Sequence, residues 1–104
     1  MKEKPCDETV RAGRLAKARQ FLAAAEEIKP SGGEGTDAYV TLCVHAGIAA
    51  ADVICCRRLG RHAQGDNHAE AVALLKSADP EAAQRLATLL GLKSKAGYTH
   101  EPVS

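Results

Sequence analysis

AYVTLCVHAGIAAADVICCRRL, residues 38 to 59, is apolar almost all round when wound at helical periodicity. One stripe is Leu42, Ala46, Ala49, Val53 and Cys56. A second is Val40, Val44, Ile48, Ala51, Cys55 and Leu59. A helix this apolar must be covered on more than one side, as the central helix of a bundle or as part of a subunit interface. Gly47 and the run Ala49–Ala51 would let a partner helix approach closely. Thr41, His45 and Asp52 interrupt the apolar surface at spacings of four and seven, so they share roughly one face. Buried polar groups need partners. That face should therefore meet another polar group or a cleft, or His45 and Asp52 are satisfied locally by backbone or a neighbouring helix.

The flanking segments supply the covering helices. From Thr9 to Ile28, Val10, Leu15, Ala18, Leu22 and Ala25 recur at helical spacing, with Phe21 and Ile28 beside them and Asp7 or Thr9 as cap. Arg11, Arg14, Lys17 and Arg19 make the first half of this helix basic, which reads as a solvated face or, less simply, as a phosphate-tracking one. Pro30 and SGGEGTD end it, and Thr36 or Asp37 caps the central helix. A third helix starts near Asp66 or Asn67 and runs to about Lys76. In the segment SADPEA, Asp79 is a cap and Pro80 takes the first helical position of a fourth helix. That helix carries Ala83, Leu86, Leu89 and Leu90 and ends near Gly91. Residues 1–8 read as a flexible arm and 98–104 as a tail. No strand pattern is present. The expectation is one all-α domain over residues 1–104, an antiparallel four-helix up-and-down bundle joined by short loops.

Composition narrows the function classes. The 104 residues include one Phe, two Tyr and no Trp, and a core rich in Ala, Leu and Val suits packed helices rather than a sheet. A net charge of +1 excludes a strongly basic surface, so any nucleic-acid contact must come from a local cluster. The polar start shows no signal peptide, and no run of about twenty apolar residues without charges suggests a membrane span. Cys43, Cys55 and Cys56 fall on one helix and Cys6 on the arm, which is not a disulfide framework. They read as small core residues in a reduced, cytoplasmic protein. Adjacent cysteines point about a hundred degrees apart on a helix and no C-x-x-C pair exists, so no metal site and no cofactor is expected. A DNA-reading helix-turn-helix fits poorly, because the helix after the turn has Glu70 and few donors.

Chemistry concentrates where the central helix ends. Arg57 and Arg61 are four apart, as are Arg58 and His62, and all four are expected on its last turn. The helix dipole accounts for one or two cations there, at roughly 0.3–1 kcal/mol each. Three arginines and a histidine within six residues repel one another, and an anionic ligand would relieve that; a guanidinium meets phosphate oxygens in two-point contact. His68, in the first turn of the third helix, is disfavoured as imidazolium by the dipole unless Asp66 or Glu70 offsets it, which suits a general base; the plainer reading is a capping or surface residue.

Here the chain resembles the HEPN domains (higher eukaryotes and prokaryotes nucleotide-binding). These are small helical bundles whose signature is an Arg, four to six residues and a His, commonly with a polar residue after the Arg. Arg61-His62-(x5)-His68 matches it, polar follower included, and Arg57-Arg58-(x3)-His62 matches the bare spacing. The stretch from Ala38 to Gly60 looks like the family's second helix. RAGRLAKARQFLAAAE looks like its first, and KAGYTHEPVS resembles its turn before a last helix. That last helix is expected to be lacking, or supplied by a partner subunit, since the sequence stops at Ser104.

The resemblance implies a metal-independent endoribonuclease, often the toxin of a toxin–antitoxin or defence system, acting as a homodimer through the apolar second helix. Arg61 would stabilise the scissile phosphate and His68 would serve as general acid or base. His62 and Asp52 would support them, and Arg57 and Arg58 would bind substrate phosphate. RNA or a nucleotide phosphate, and an antitoxin protein, are the implied partners. The alternative is a catalytically silent HEPN-like module that binds a nucleotide, RNA or protein.

Overall fold

A computed structural model describes residues 3–29, 36–64 and 68–98, with side chains as far as residue 92. The elements run β1 (Glu3–Pro5), α1 (Glu8–Ile28), α2 (Thr36–Leu59), β2 (Arg61–Ala63), α3 (His68–Ala78) and α4 (Pro80–Tyr98). The chain is an all-α four-helix bundle with one small two-stranded ribbon.

Each helix begins where local chemistry fixes it. Asp7 caps α1, accepting from the Val10 amide at 2.9 Å. Asp79 alone separates α3 from α4 and accepts from the Ala82 amide at 3.1 Å, with Pro80 opening the helix as expected. Leu59 ends α2 because Gly60 takes a positive φ of 73°, and the Gly60 amide closes the last turn on the Cys56 carbonyl at 3.0 Å. At its other end α4 runs through Gly91 to Tyr98 rather than stopping near Gly91. The residues after that expected end are thus helical up to Tyr98. One glycine among helix formers is too small a penalty to end a packed helix.

Helix α2 is the centre. Against it α1 runs antiparallel, as three pairs at successive heights show: Cys6 with Cys56, Arg14 with Asp52, and Phe21 with His45. On another side α3 and α4 close over Ala51 and Cys55 with Leu74, Leu75, Ala83 and Leu86. Val40 and Val44 meet Leu89 and Leu90 further along. Gly47 permits this approach, since a Cβ there would lie 3.1 Å from a Leu89 methyl. Its own chain therefore supplies much of the cover this apolar helix requires. By length and composition Thr36–Leu59 is also long and apolar enough to cross a membrane, once Asp52 is tolerated. The first helix departs from its expected stripe at one position: Leu22 is 51% exposed, while Arg14 turns inward to Asp52.

Two expectations are corrected at the N-terminus. Residues 3–5 are a strand, not a loose arm. They pair antiparallel with Arg61–Ala63, with Lys4 opposite His62 and Pro5 opposite Arg61. Cys6 and Cys56 form a disulfide across 50 residues of sequence, so Cys56 is not simply a core residue. The bridge also removes the ground for expecting a reduced compartment, which lay in unpaired cysteines. Neither pairing has a local signature, because both join residues some fifty or more positions apart.

Candidate functional site

The ribbon and the helix junctions divide the arginine–histidine cluster among four places. Arg58 reaches the α3–α4 corner, donating to the Ala78 carbonyl at 2.9 Å with the Asp79 carboxylate at 3.6 Å. Its role there is to tie α2 to that corner. Arg57 lines a cavity of about 360 Å³ with Cys6, Asp7, Glu8, Arg11 and Cys56. Arg61 and His62 are not on the last turn of α2 but on β2, and adjacent strand residues face opposite ways. Arg61 is exposed, ion-paired through Nε to Glu3, and donates at 3.3 Å to the Leu59 carbonyl.

His62 turns inward, and there the site forms. A cavity of about 250 Å³ is lined by Lys4, Arg14, Ile48, Asp52, His62, Ala63, Gln64, His68 and Ala71. The fold draws these from β1, α1, α2, β2 and α3. His62, His68 and Asp52 are thus brought together as expected, and Arg61 is left outside. His68 opens α3; its expected cap, Asp66 or Asn67, lies outside the described residues.

The electrostatics centre on Asp52, 8% exposed on an otherwise apolar helix. Its Oδ2 lies 2.8 Å from Arg14 Nη2. Burial pushes the Asp52 carboxyl above its ordinary value, and the charges of Arg14 and His62 oppose that push. Arg14 Nε is buried with no hydrogen-bond partner among the described residues. His62 Nδ1 lies 2.8 Å from the Ala63 carbonyl oxygen. A carbonyl only accepts, so Nδ1 carries the proton and Nε2 is the atom left to exchange one.

The rest of the polar stripe on α2 does not join the cavity. Thr41 donates to its own helix at the Asp37 carbonyl, 2.9 Å away, and His45 stacks on Phe21 with ring centroids 5.1 Å apart. Among the described residues no three His, Cys, Asp or Glu side chains are grouped closely enough to hold a metal ion. Lys4 and Arg14 are the site residues that sequence reasoning missed. The signal for Arg14 was present: a carboxylate buried in an apolar helix needs a cation, and Arg14 stands on the helix before it. Lys4 had no such signal until Cys6 was known to pair with Cys56. No family model matches the chain, and no curated protein and no solved structure matches it either, so the site is read from its own geometry.

Proposed function

We propose that this cavity binds an RNA phosphodiester and cleaves it without a metal, in a small helical protein of HEPN type. The observation that carries the reading is the convergence of His62, His68, Lys4 and the Arg14–Asp52 pair on one cavity. Two imidazoles supply what in-line transesterification of RNA needs. One takes the proton of the ribose 2′-hydroxyl as its oxygen attacks phosphorus, and the other gives a proton to the departing 5′-oxygen. The products are a 2′,3′-cyclic phosphate and a 5′-hydroxyl. The fixed Nδ1 proton of His62 suits its Nε2 to one of these roles. Lys4 and Arg14 are the cations of the cavity wall that would meet the phosphate, and the spare Arg14 Nε–H calls for an acceptor. Asp52 balances the charge of Arg14 and of His62 from below. In this arrangement Arg14 and Lys4 take the part that the family motif gives to Arg61. A homodimer that joins two such cavities, and a toxin role, belong to the same proposal.

A second reading is a binding module that does not cleave. It is favoured by the pairing of Arg14 with Asp52 and of Arg61 with Glu3, which leaves less free positive charge for a transition state. One experiment separates the two. Labelled RNA is incubated in chelator with the wild type, His62→Ala, His68→Ala and Arg61→Ala, with DNA of the same sequence as a control. The ribonuclease reading expects cleavage of RNA alone, leaving cyclic phosphate ends. It expects a loss of about a hundredfold or more in each histidine variant and near-normal activity in Arg61→Ala. Binding without cleavage by the wild type selects the second reading. Loss of activity in Arg61→Ala but not in His62→Ala would return the site to the family's motif pair.

A further inference from the structure

The Cys6–Cys56 bridge lies on the wall of the second polar cavity, and the ribbon it tethers lies on the wall of the histidine cavity. We propose that this disulfide is an exchange site for a thiol reductant and that its reduction releases β1, opening the histidine cavity and freeing Arg61.

Access comes first. The cavity of about 360 Å³ is lined by both half-cystines together with Arg11 and Arg57, so an attacking thiol can reach the bond from solvent. Cys6 is the more exposed residue of the two, Cys56 being 7% exposed, so attack is expected at the Cys6 Sγ. The step balances as ordinary thiol–disulfide exchange. A thiolate attacks Cys6 Sγ, a mixed disulfide forms there, and Cys56 leaves as thiolate. A second thiolate then attacks the reductant's sulfur in the mixed disulfide and frees Cys6 as thiolate. Two thiols are oxidised to one disulfide, and the two protein thiolates take up their protons. Arg57 lines the same cavity and its charge favours the departing Cys56 thiolate, against the opposing carboxylate of Asp7, whereas Arg11 and Glu8 are committed to each other. The neighbouring Cys55 does not interfere: burial first, then the Asp52 carboxylate, pushes its thiol up to about 11.

The consequence follows from how little else holds β1. Each strand has three residues, and an isolated two-stranded ribbon of that length is marginal. Beyond the bridge, the segment is fixed by the Cys6 amide on the Gly60 carbonyl at 3.1 Å and by the Glu3–Arg61 pair. Helix α1, by contrast, keeps its packing on α2 and its Arg14–Asp52 pair. Breaking the bridge therefore loosens Glu3, Lys4 and Pro5 while the helices stay. Lys4 leaves the cavity wall and Glu3 leaves Arg61. The exchange and the release are independent of the ribonuclease reading; only their effect on cleavage rests on it.

The test is to titrate the folded wild-type protein with a dithiol reductant at 25 °C. Newly exposed thiols are trapped by alkylation and located by mass spectrometry, and amide exchange and helical circular dichroism are followed in parallel. Cys6 and Cys56 should be alkylated together and Cys55 should stay unlabelled. The amides of Lys4 and His62 should exchange at least tenfold faster, with helical ellipticity unchanged. Cys6→Ser should show the same fast exchange with no reductant present. The proposal is overturned if the bond resists reduction until the helices melt. It is equally overturned if reduction melts them, or if β1 stays protected in the reduced protein and in Cys6→Ser. RNA cleavage is assayed separately on the oxidised protein, so its absence would remove the ribonuclease reading without touching this one.

Discussion

Asp52 and Arg14 make an asymmetric pair. The carboxylate is almost wholly enclosed, whereas the arginine side chain keeps 29% of its surface in solvent. Removing the arginine leaves a buried charge alone; removing the carboxylate leaves a cation that water can still reach. Arg14→Met should therefore cost about 3 kcal/mol at neutral pH, and Asp52→Asn no more than about 1 kcal/mol. The pH dependence follows from the raised carboxyl. Folding favours its protonated form, so its contribution to stability is fully present below the ordinary value of 3.8 and is lost as pH rises through the higher folded value. Without Arg14 the folded value climbs further. The deficit of Arg14→Met should thus shrink on acidification below the ordinary value of 3.8, as Asp52 becomes protonated in both proteins. Urea unfolding of wild type and both variants at two pH values measures this. An equal cost for the two variants at neutral pH would mean that the carboxylate is hydrated, not buried.

At the level of elements, the α3–α4 corner depends on one residue. Asp79 caps α4 through Oδ1 and meets Arg58 of α2 through Oδ2, so it joins three helices. Asp7 makes a cap contact of the same kind on α1 but has no such second tie among the described residues. Asp79→Ala should destabilise by about 1–2 kcal/mol and Asp7→Ala by about 1 kcal/mol or less, compared by denaturant midpoints. If Arg58→Ala already removes the difference, the Arg58 contact is its source. The same comparison shows what else holds an arginine burst at a helix end. Cations there are drawn to carbonyls and carboxylates of neighbouring elements, and Arg58 and Arg61 are both held in that way.

For the molecule as a whole, the disulfide is the long-range constraint. Its half-cystines are 50 residues apart, and closing a loop of that size lowers the entropy of the unfolded chain by an amount worth about 4 kcal/mol at most. For a chain of 104 residues, reduction should lower Tm by roughly 10 °C or more while the native helices persist at room temperature. Calorimetry with and without reductant reads this directly. A Tm unmoved by reduction would mean that the unfolded chain gains no freedom when the bridge is cut.

Four helices, the centrality of α2 and the Asp79–Pro80 start were all legible in the sequence. Periodicity and capping are local physics, written within a few residues of where they act. Asp52 drew notice in the sequence for a related reason: a charged group on an otherwise apolar helix calls for a partner from elsewhere. The ribbon, the Cys6–Cys56 bridge, the Arg14–Asp52 pair and the place of Lys4 on the cavity wall were decided only in three dimensions. Each joins segments far apart in the chain, and which residues meet there depends on the register in which α1 lies against α2. That register carried Arg14 inward, left Leu22 in solvent, and fixed which cations reach the histidines.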